Sequence, residues 1–386
     1  MKSILVLEGR ETIGGGQVVT KRICNVLSKK YNVEVLIPGN SCSQISQYLK
    51  NFKQHFYILK EYGRGRKKII DYFRFLYNLF TICSSLFKLL KRNHYDLIYI
   101  QHQNILPEII FVNKFWGIPC ISHLHVYYSD GIARKLVNWC LADKSINCVI
   151  GVSNYTLSQL NDNIKRKSKV LYNSVPLKTL ANPHTWNNRV AIVGDVIPNK
   201  GHKILLDALK MQSEKYTLFM IGTIVSEKFF DILEVDCGNV KIIATGMINN
   251  VSEYLNTNNI DLVVVPSIAP FETFSLAMVE AWSMGIPTIA TNDFGMKEIV
   301  STFAHEFMDY ILFEKGNSTD LFKKISLFAT NENLRYKVGS TLRTIVKERL
   351  NENIFESNLT NYVSEICKHS SSSSQTDENM SENTYD

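Results

Sequence analysis

The sequence predicts an α/β fold with two doubly wound parallel-sheet domains in one chain, followed by helices. Three observations carry this. At 386 residues the chain has room for two ordinary domains with a core in each. Its first half alternates short runs rich in Val and Ile with segments of helical spacing, the pattern of parallel βαβ units with right-handed crossovers. The alternation pauses between residues 172 and 189 and then begins again.

In chain order, "SILVLE", "YNVEVLIP", "YDLIYIQ", "GIPCISHLH" and "INCVIGVS" read as buried strands, with helical stretches such as "GGQVVTKRICNVLSKK" between them. The stretch "YNSVPLKTLANPHTWNNR" is rich in Asn and Pro, lacks periodicity and reads as a linker. Beyond it, "VAIVGDV", "YTLFMIGT", "NVKIIATG", "IDLVVVPS" and "GIPTIAT" form a second set of strands. After residue 317 the text is helical, through "STDLFKKISLFAT", "NENLRYKVGSTLRTIVKERL" and "NIFESNLTNYVSEICKH". The closing "SSSSSQTDENMSENTYD" is polar, acidic and of low complexity, so a disordered tail is expected. The expected boundaries are a first domain at 1–172, a linker at 173–188 and a second domain at 189–350. A helix at 351–368 is expected to return to the first domain, and the tail covers 369–386. Parallel sheets take ligands at the carboxyl ends of their strands, so with two sheets facing one another the default site is the cleft between them.

Bulk properties narrow the function. A hydrophobic share of 45% and a charged share of 20% are those of a globular protein. The net charge of +7 suits phosphates or an acidic membrane surface and is too small to argue for nucleic acid. The eight cysteines are scattered, with no Cys-x-x-Cys, and read as reduced cytoplasmic thiols. The opening "MKSILVLEGRETIGGG" turns polar too soon for a signal peptide. The uncharged run Phe75 to Phe87 is 13 residues long. A spanning helix needs roughly 18 to 20, so no membrane crossing is expected.

The chemistry concentrates in "VPSIAPFETFSLAMVEAWSMGIPTIATNDFGMKEIV", residues 265–300, which holds Glu272 and Glu280. Two carboxylates at this separation are an acid/base pair, two clamps on one ligand, or a solvated helix face. A strand ends near Ser267, a helix starts near Ser275, whose hydroxyl can cap it, and Gly285 and Pro287 end it. Glu272 then lies in a loop and Glu280 inside the helix. The amides of Phe274, Ser275 and Leu276 at the helix start form an anion site. A phosphate held there has one carboxylate on either side, which fits clamps better than a proton-sharing pair. A carboxylate accepts from two vicinal hydroxyls at once. A phosphate flanked by two hydroxyl-bearing rings is a nucleotide sugar.

The string "PFETFSLAMVEAWSMGIPTIATNDFGMKEIV" resembles the signature of the retaining family-four glycosyltransferases of the GT-B fold. Glu272 and Glu280 are followed in order by "EAWSMGIP" and "FGMKEIV", and the resemblance runs from residue 3 to about 366. It implies that Glu280 holds the ribose hydroxyls, while Glu272 and the amides behind it hold the donor sugar. "GIPCISHLH" resembles the family's strand ending in a histidine near the reacting carbon, which makes His125 the match. His123 points the same way, two residues back. In "ETIGGGQVV", Gly14 and Gly15 match a loop whose backbone approaches the donor phosphate or the acceptor; a plain tight turn is the alternative. This is not the Gly-x-Gly-x-x-Gly dinucleotide fingerprint, which argues against an NAD-dependent oxidoreductase. "VGDVIPNKG" matches the segment that supplies a basic pair to the diphosphate. Lys200 is in place, but Asp195 stands where the family has arginine. "YNSVP" has Ser174 where glycine is common. An aspartate near a diphosphate costs about 1 to 3 kcal/mol unless a cation intervenes. Arg10 and Lys297 are candidates to replace the arginine. Asp195 is otherwise expected to point away or to pair with Lys203 or Arg189.

The resemblance implies no enzyme nucleophile: the leaving diphosphate takes the acceptor's proton and the protein supplies positioning and electrostatics. No Asp, Glu or His cluster suggests a metal, and no cofactor is expected beyond the nucleotide-sugar donor. From Lys60 to Arg92, basic residues including Arg64, Arg66, Lys67 and Lys68 surround Tyr72, Phe73, Phe75, Tyr77, Phe80 and Phe87. This is a buried helix with snorkelling ends or a peripheral contact with anionic lipid. The expected protein is a cytoplasmic hexosyltransferase, moving sugar from a UDP-linked donor to a glycan or lipid-linked saccharide in cell-surface polysaccharide synthesis. A catalytically inactive subunit supporting a partner enzyme, or a sugar-nucleotide epimerase, are the alternatives.

Overall fold

The computed structural model describes residues 1–60, 69–181 and 186–381, with side chains for all of these except residues 71 and 369–381. The chain divides into two compact units. The first holds Met1–Val152, Thr156–Leu171 and the chain from Glu356; the second holds Ser153–Tyr155 and Tyr172–Phe355.

In the first unit β1 (Ser3–Leu7), β2 (Asn32–Pro38), β3 (Lys53–Tyr57), β4 (Leu97–Ile100), β5 (Cys120–Leu124), β6 (Ile146–Gly151) and β7 (Ser168–Val170) form one parallel sheet. Its order is β3-β2-β1-β4-β5-β6-β7. In the second, β8 (Arg189–Val193), β9 (Thr217–Ile221), β10 (Lys241–Gly246), β11 (Leu262–Val265), β12 (Thr288–Thr291) and β13 (Leu312–Phe313) form another, in the order β10-β9-β8-β11-β12-β13. Both are doubly wound, as predicted. In each, strand order reverses once, between β1 and β4 and between β8 and β11. The carboxyl ends at such switch points are where open α/β sheets take ligands.

Apart from the partly buried edge strand β10, the strands found in the sequence are the buried ones. The residues of β4, β5, β11 and β12 are buried throughout, and covering by helices on both faces selects an unbroken apolar run. The sequence misses β3, β7 and β13. All three are sheet edges, β3 and β7 are only partly buried, and β13 is two residues long. "KQHFY" and "SKV" therefore carry no apolar period to read.

The helix Ile69–Arg92 is longer than the uncharged run on which the membrane expectation rested. The count of 13 stopped at Arg74 and Lys88, whereas the helix carries a stretch, Tyr72–Arg92, of 21 residues that is long and apolar enough to cross a membrane by length and composition; 28% of that window is buried. The four cationic side chains within it, Arg74, Lys88, Lys91 and Arg92, lie towards its two ends, where long stems let the charge snorkel. One edge, with Ile82, Leu86, Leu89 and Leu90, packs into the core of the first unit, and Asn78 caps Lys60 through both its side-chain groups. The other edge leaves Ile69, Tyr72, Phe73 and Phe80 exposed, Phe80 at 75%. Arg64, Arg66, Lys67 and Lys68 lie outside the described residues.

The stretch read as a linker belongs to the second unit from Tyr172 onward. Asn173, Ser174 and Val175 are buried, Val175 N–H donates to Leu350 O (3.1 Å) and Ala181 N–H to Met284 O (2.9 Å). The last helix, Glu352–Ser381, begins at the end of the second unit and continues past residue 369, where the sequence starts the tail.

Candidate functional site

The predicted residues fall on both units: Gly14, Gly15 and His125 on the first, and Lys200, Glu272, Phe274, Ser275, Leu276 and Glu280 on the second.

At the switch point of the second sheet, the segment after β8 meets the loop after β11. The chain leaves β8 through Gly194, makes a short 3-10 turn at Pro198–Lys200 and enters the helix His202–Lys210. Gly201 sits at φ 80°, and a Cβ there would lie 2.0 Å from Pro266 O, so only glycine lets the two segments close. Ile268 N–H donates to Asn199 O across the same junction (3.0 Å). The consequence is that Lys200 Nζ forms an ion pair with Glu272, both side chains being largely shielded.

Ser275 caps the helix Leu276–Ser283 through a bond from Met278 N–H to its Oγ (3.3 Å), as predicted. Gly285, φ 75°, follows the helix end. The amides of Phe274, Ser275 and Leu276 have no acceptor among the described residues. They stand at the positive end of the helix, next to the Lys200–Glu272 pair. Glu280 lies on the following turn and is partly exposed.

The loop is held by contacts distant in sequence. Ser153 Oγ donates to Thr273 O (2.7 Å), Tyr155 Oη to Pro270 O (3.2 Å) and Gly295 N–H to Glu272 O (2.9 Å). Glu298, on the helix Phe294–Phe303, accepts from Asn154 N–H (2.7 Å), Tyr155 N–H (2.5 Å) and Tyr172 Oη (2.8 Å). Phe294, capped by Asp293, adopts φ 58°, the left-handed region that non-glycine residues rarely occupy. Sequence reasoning missed Ser153, Tyr155 and Glu298 because nothing local distinguishes them; their partners lie more than a hundred residues away.

The Asp195 expectations need one correction. Asp195 is exposed and makes no ion pair among the described residues. Lys203 is occupied by Asp207 (2.5 Å) and Asp236 (2.6 Å), and Arg189 Nη1 by Asn258 O (2.7 Å), so neither neutralises it. Lys297 and Arg10 are both exposed, Lys297 on the second unit and Arg10 on the first.

On the first unit, His125 follows β5 and its Nε2 faces Gln101 Oε1 at 2.6 Å. His123 is fully buried against Tyr99 Oη (3.1 Å), which leaves His125 as the more accessible of the two. Burial lowers His123 to about 3 and holds His125 well below the ordinary histidine value, with His123 and His102 adding to the effect, so both rings are neutral at pH 7. Gly14 is the extended residue before the helix Gly15–Leu27, and its N–H donates to Gln17 Oε1 (3.0 Å). A Cβ at Gly16 would meet nothing within 4 Å, and neither Gly14, Gly15 nor Gly16 has a positive φ. None of the three therefore needs the left-handed backbone that favours glycine, and the Gln17 side chain folds back to cap the helix start. Among the described residues no group of three His, Cys, Asp or Glu is placed to hold a metal ion.

The chain is 29% identical over 200 residues to an uncharacterised glycosyltransferase of Methanocaldococcus jannaschii, covering 52% of this chain and 54% of that protein. It is 27% identical over 231 residues to an uncharacterised 41.2 kDa protein in the cps region of Klebsiella pneumoniae, covering 56% and 57%. The chain thus spans about half the length of the curated relatives it matches. The crystal structure of Anabaena HepE in complex with UDP-glucose superposes with a TM-score of 0.76 at 19% identity, over 95% of this chain and 100% of that one. At that identity the likeness establishes the fold. Residues 13–179 match Glycosyltransferase Family 4 and residues 182–344 match Glycosyl transferases group 1. Together these matches take in every strand of both sheets except β1, and the chain belongs to the group 1 glycosyltransferases of the GT-B fold.

Proposed function

We propose that this chain transfers a hexosyl unit from a UDP-linked sugar to a glycan acceptor, with retention at the anomeric carbon. The observation that carries the reading is the Lys200–Glu272 ion pair beside three unengaged amides at the second sheet's switch point. In this reading the amides of Phe274, Ser275 and Leu276 and the Lys200 cation hold the diphosphate, and Glu280 accepts from the ribose hydroxyls. Glu272 holds the donor sugar and His125 is assigned to the reacting carbon. The departing diphosphate takes the acceptor's proton, so the protein's contribution is orientation and charge. HepE, whose structure contains UDP-glucose, and the relative in a cps region support a UDP-sugar and a cell-surface polysaccharide.

Isothermal titration with UDP and GDP is the test. Glu280→Ala is expected to weaken UDP roughly tenfold, the loss of a charge-assisted hydroxyl contact. Glu272→Ala should bind UDP nearly normally and lose sugar transfer. Equal UDP affinity for wild type and Glu280→Ala would remove the ribose clamp. The exposed Asp195 favours one rival, a subunit without catalytic duty, and a wild type that binds neither nucleotide would decide for it.

The acceptor is proposed to be lipid-linked, met at the cytoplasmic face of the membrane. The exposed aromatic edge of the helix Ile69–Arg92, ending in Lys88, Lys91 and Arg92, supports this. Phe73→Ser with Phe80→Ser should cut co-sedimentation with phosphatidylglycerol vesicles and leave UDP binding unchanged. A wild type that stays in the supernatant sinks the membrane reading.

A further inference from the structure

The first sheet has a switch point of its own, and the polar groups gathered there have no part in donor binding as proposed above. Glu8 follows β1, and Gln101 and His102 follow β4. The Glu8 carboxylate, in a residue 1% exposed, accepts from the N–H of Gly9 (2.8 Å) and Arg10 (3.2 Å), from Gln17 Nε2 (3.1 Å) and from Thr20 Oγ1 (2.6 Å). A Cβ at Gly9 would lie 2.4 Å from Asn104 Oδ1 and 2.6 Å from His102 Cβ, so glycine lets the loop after β1 close on the loop after β4.

The anchored carboxylate faces His102 Nε2 at 3.4 Å, and Gln17 Nε2 lies 3.3 Å from the same nitrogen. If Nε2 carries the proton it points to Glu8, and Nδ1 is an acceptor. If Nε2 accepts from Gln17, Nδ1 is a donor. In either tautomer Nδ1, which has no partner among the described residues, is the atom left for a ligand, and a hydroxyl group satisfies both cases. The His102 side chain keeps 14% of its surface exposed. Beside it, Gln101 is 1% exposed, spends its Oε1 on His125 and leaves Nε2 buried with no partner among the described residues. An orphan buried donor of this kind is unusual, and an acceptor oxygen on a ligand would satisfy it.

We propose that His102, fixed by Glu8 and Gln17, binds a hydroxyl of the acceptor saccharide, with Gln101 Nε2 as a second contact to its oxygens. This rests on the transferase reading and adds to it the residues that select the acceptor. A polar plug that merely closes the sheet end would fill the same space without binding sugar.

The experiment uses saturation-transfer NMR on the whole chain, with the methyl glycosides of glucose, galactose and mannose as probes, in the presence of UDP. At least one glycoside should give a signal with wild type. In His102→Phe, which keeps a flat ring, that affinity should fall about tenfold or more, as when a site built for a hydroxyl loses its partner, while UDP titration stays within about twofold. His102→Asn, which offers both a donor and an acceptor, should recover part of the loss, and its unfolding midpoint checks the fold should the phenylalanine variant aggregate. No glycoside signal from wild type, or a signal indifferent to both substitutions, overturns the proposal. Absent UDP binding with intact, His102-dependent glycoside binding would instead overturn the donor reading and leave this one standing.

Discussion

Lys200→Ala is expected to reduce UDP affinity by about 1.5 to 3 kcal/mol, roughly 10- to 150-fold, and to abolish measurable transfer. Two losses add. The diphosphate loses the one cation that the segment after β8 supplies, since Asp195 replaces the arginine expected there. Glu272 also loses its ion-pair partner, so an uncompensated carboxylate is left beside the incoming anion. The second loss can be separated: in Lys200→Ala with Glu272→Gln the repulsion is gone, and part of the affinity should return. Titration of UDP against the four proteins of this double-mutant cycle measures both. If Lys200→Ala binds UDP within about twofold of wild type, the lysine serves only to neutralise Glu272 and the diphosphate lies elsewhere.

Gly295→Ala should destabilise the protein by about 1 to 3 kcal/mol or more, and weaken UDP binding as well. A Cβ at Gly295 would stand 2.0 Å from Thr273 O, 2.3 Å from Thr273 C and 2.8 Å from Glu272 O. All three are backbone atoms and cannot swing aside like a side chain. Relief requires the helix Phe294–Phe303 or the Glu272 loop to move, and the loop carries both the ion-pair carboxylate and the amides of Phe274 and Ser275. Gly16→Ala is the control: its Cβ would meet nothing, and alanine in a helix should be neutral to stabilising by about 0.5 to 1 kcal/mol. Urea unfolding of both variants gives the comparison. A Gly295→Ala protein whose midpoint matches wild type would mean that the close packing of helix on loop is not a feature of the protein in solution.

How much of this the sequence disclosed depended on whether the information was local. Each centrally placed strand was visible, because burial on both faces demands an unbroken apolar run, as in "LVVV" of β11. The Ser275 cap and the Gly285 stop were visible too, because capping is decided within a few residues. The edge strand "KQHFY" was not, since an edge needs no apolar face. Within the site, the spacing of Glu272 and Glu280 could be read, but not that Lys200 would pair with Glu272, a partner 72 positions away. The cluster around Glu8 was overlooked although it left a trace. "LVLEG" and "IYIQHQ" each follow an apolar strand with polar residues at once, and in a parallel sheet that is where ligand groups belong.

The route of the chain through its two units bears on how the molecule can be made and cut. The first unit is discontinuous: its sheet is complete at residue 171, yet Leu359, Val363 and Cys367 of the last helix are buried and belong to it. That helix is fastened by Tyr362 Oη to Val170 O (3.1 Å), by ion pairs of Glu356 with Lys29 and Glu365 with Lys169, and by Lys2 to the Cys367 carbonyl. During synthesis the second unit, continuous from Tyr172 to Phe355, is whole before the first has received its last helix. A fragment ending at residue 171 would leave bare the apolar surface that this helix covers, whereas residues 172–355 contain all but three residues of their unit. The two halves are therefore unequal as folding units, and dissection of the protein should begin with the second.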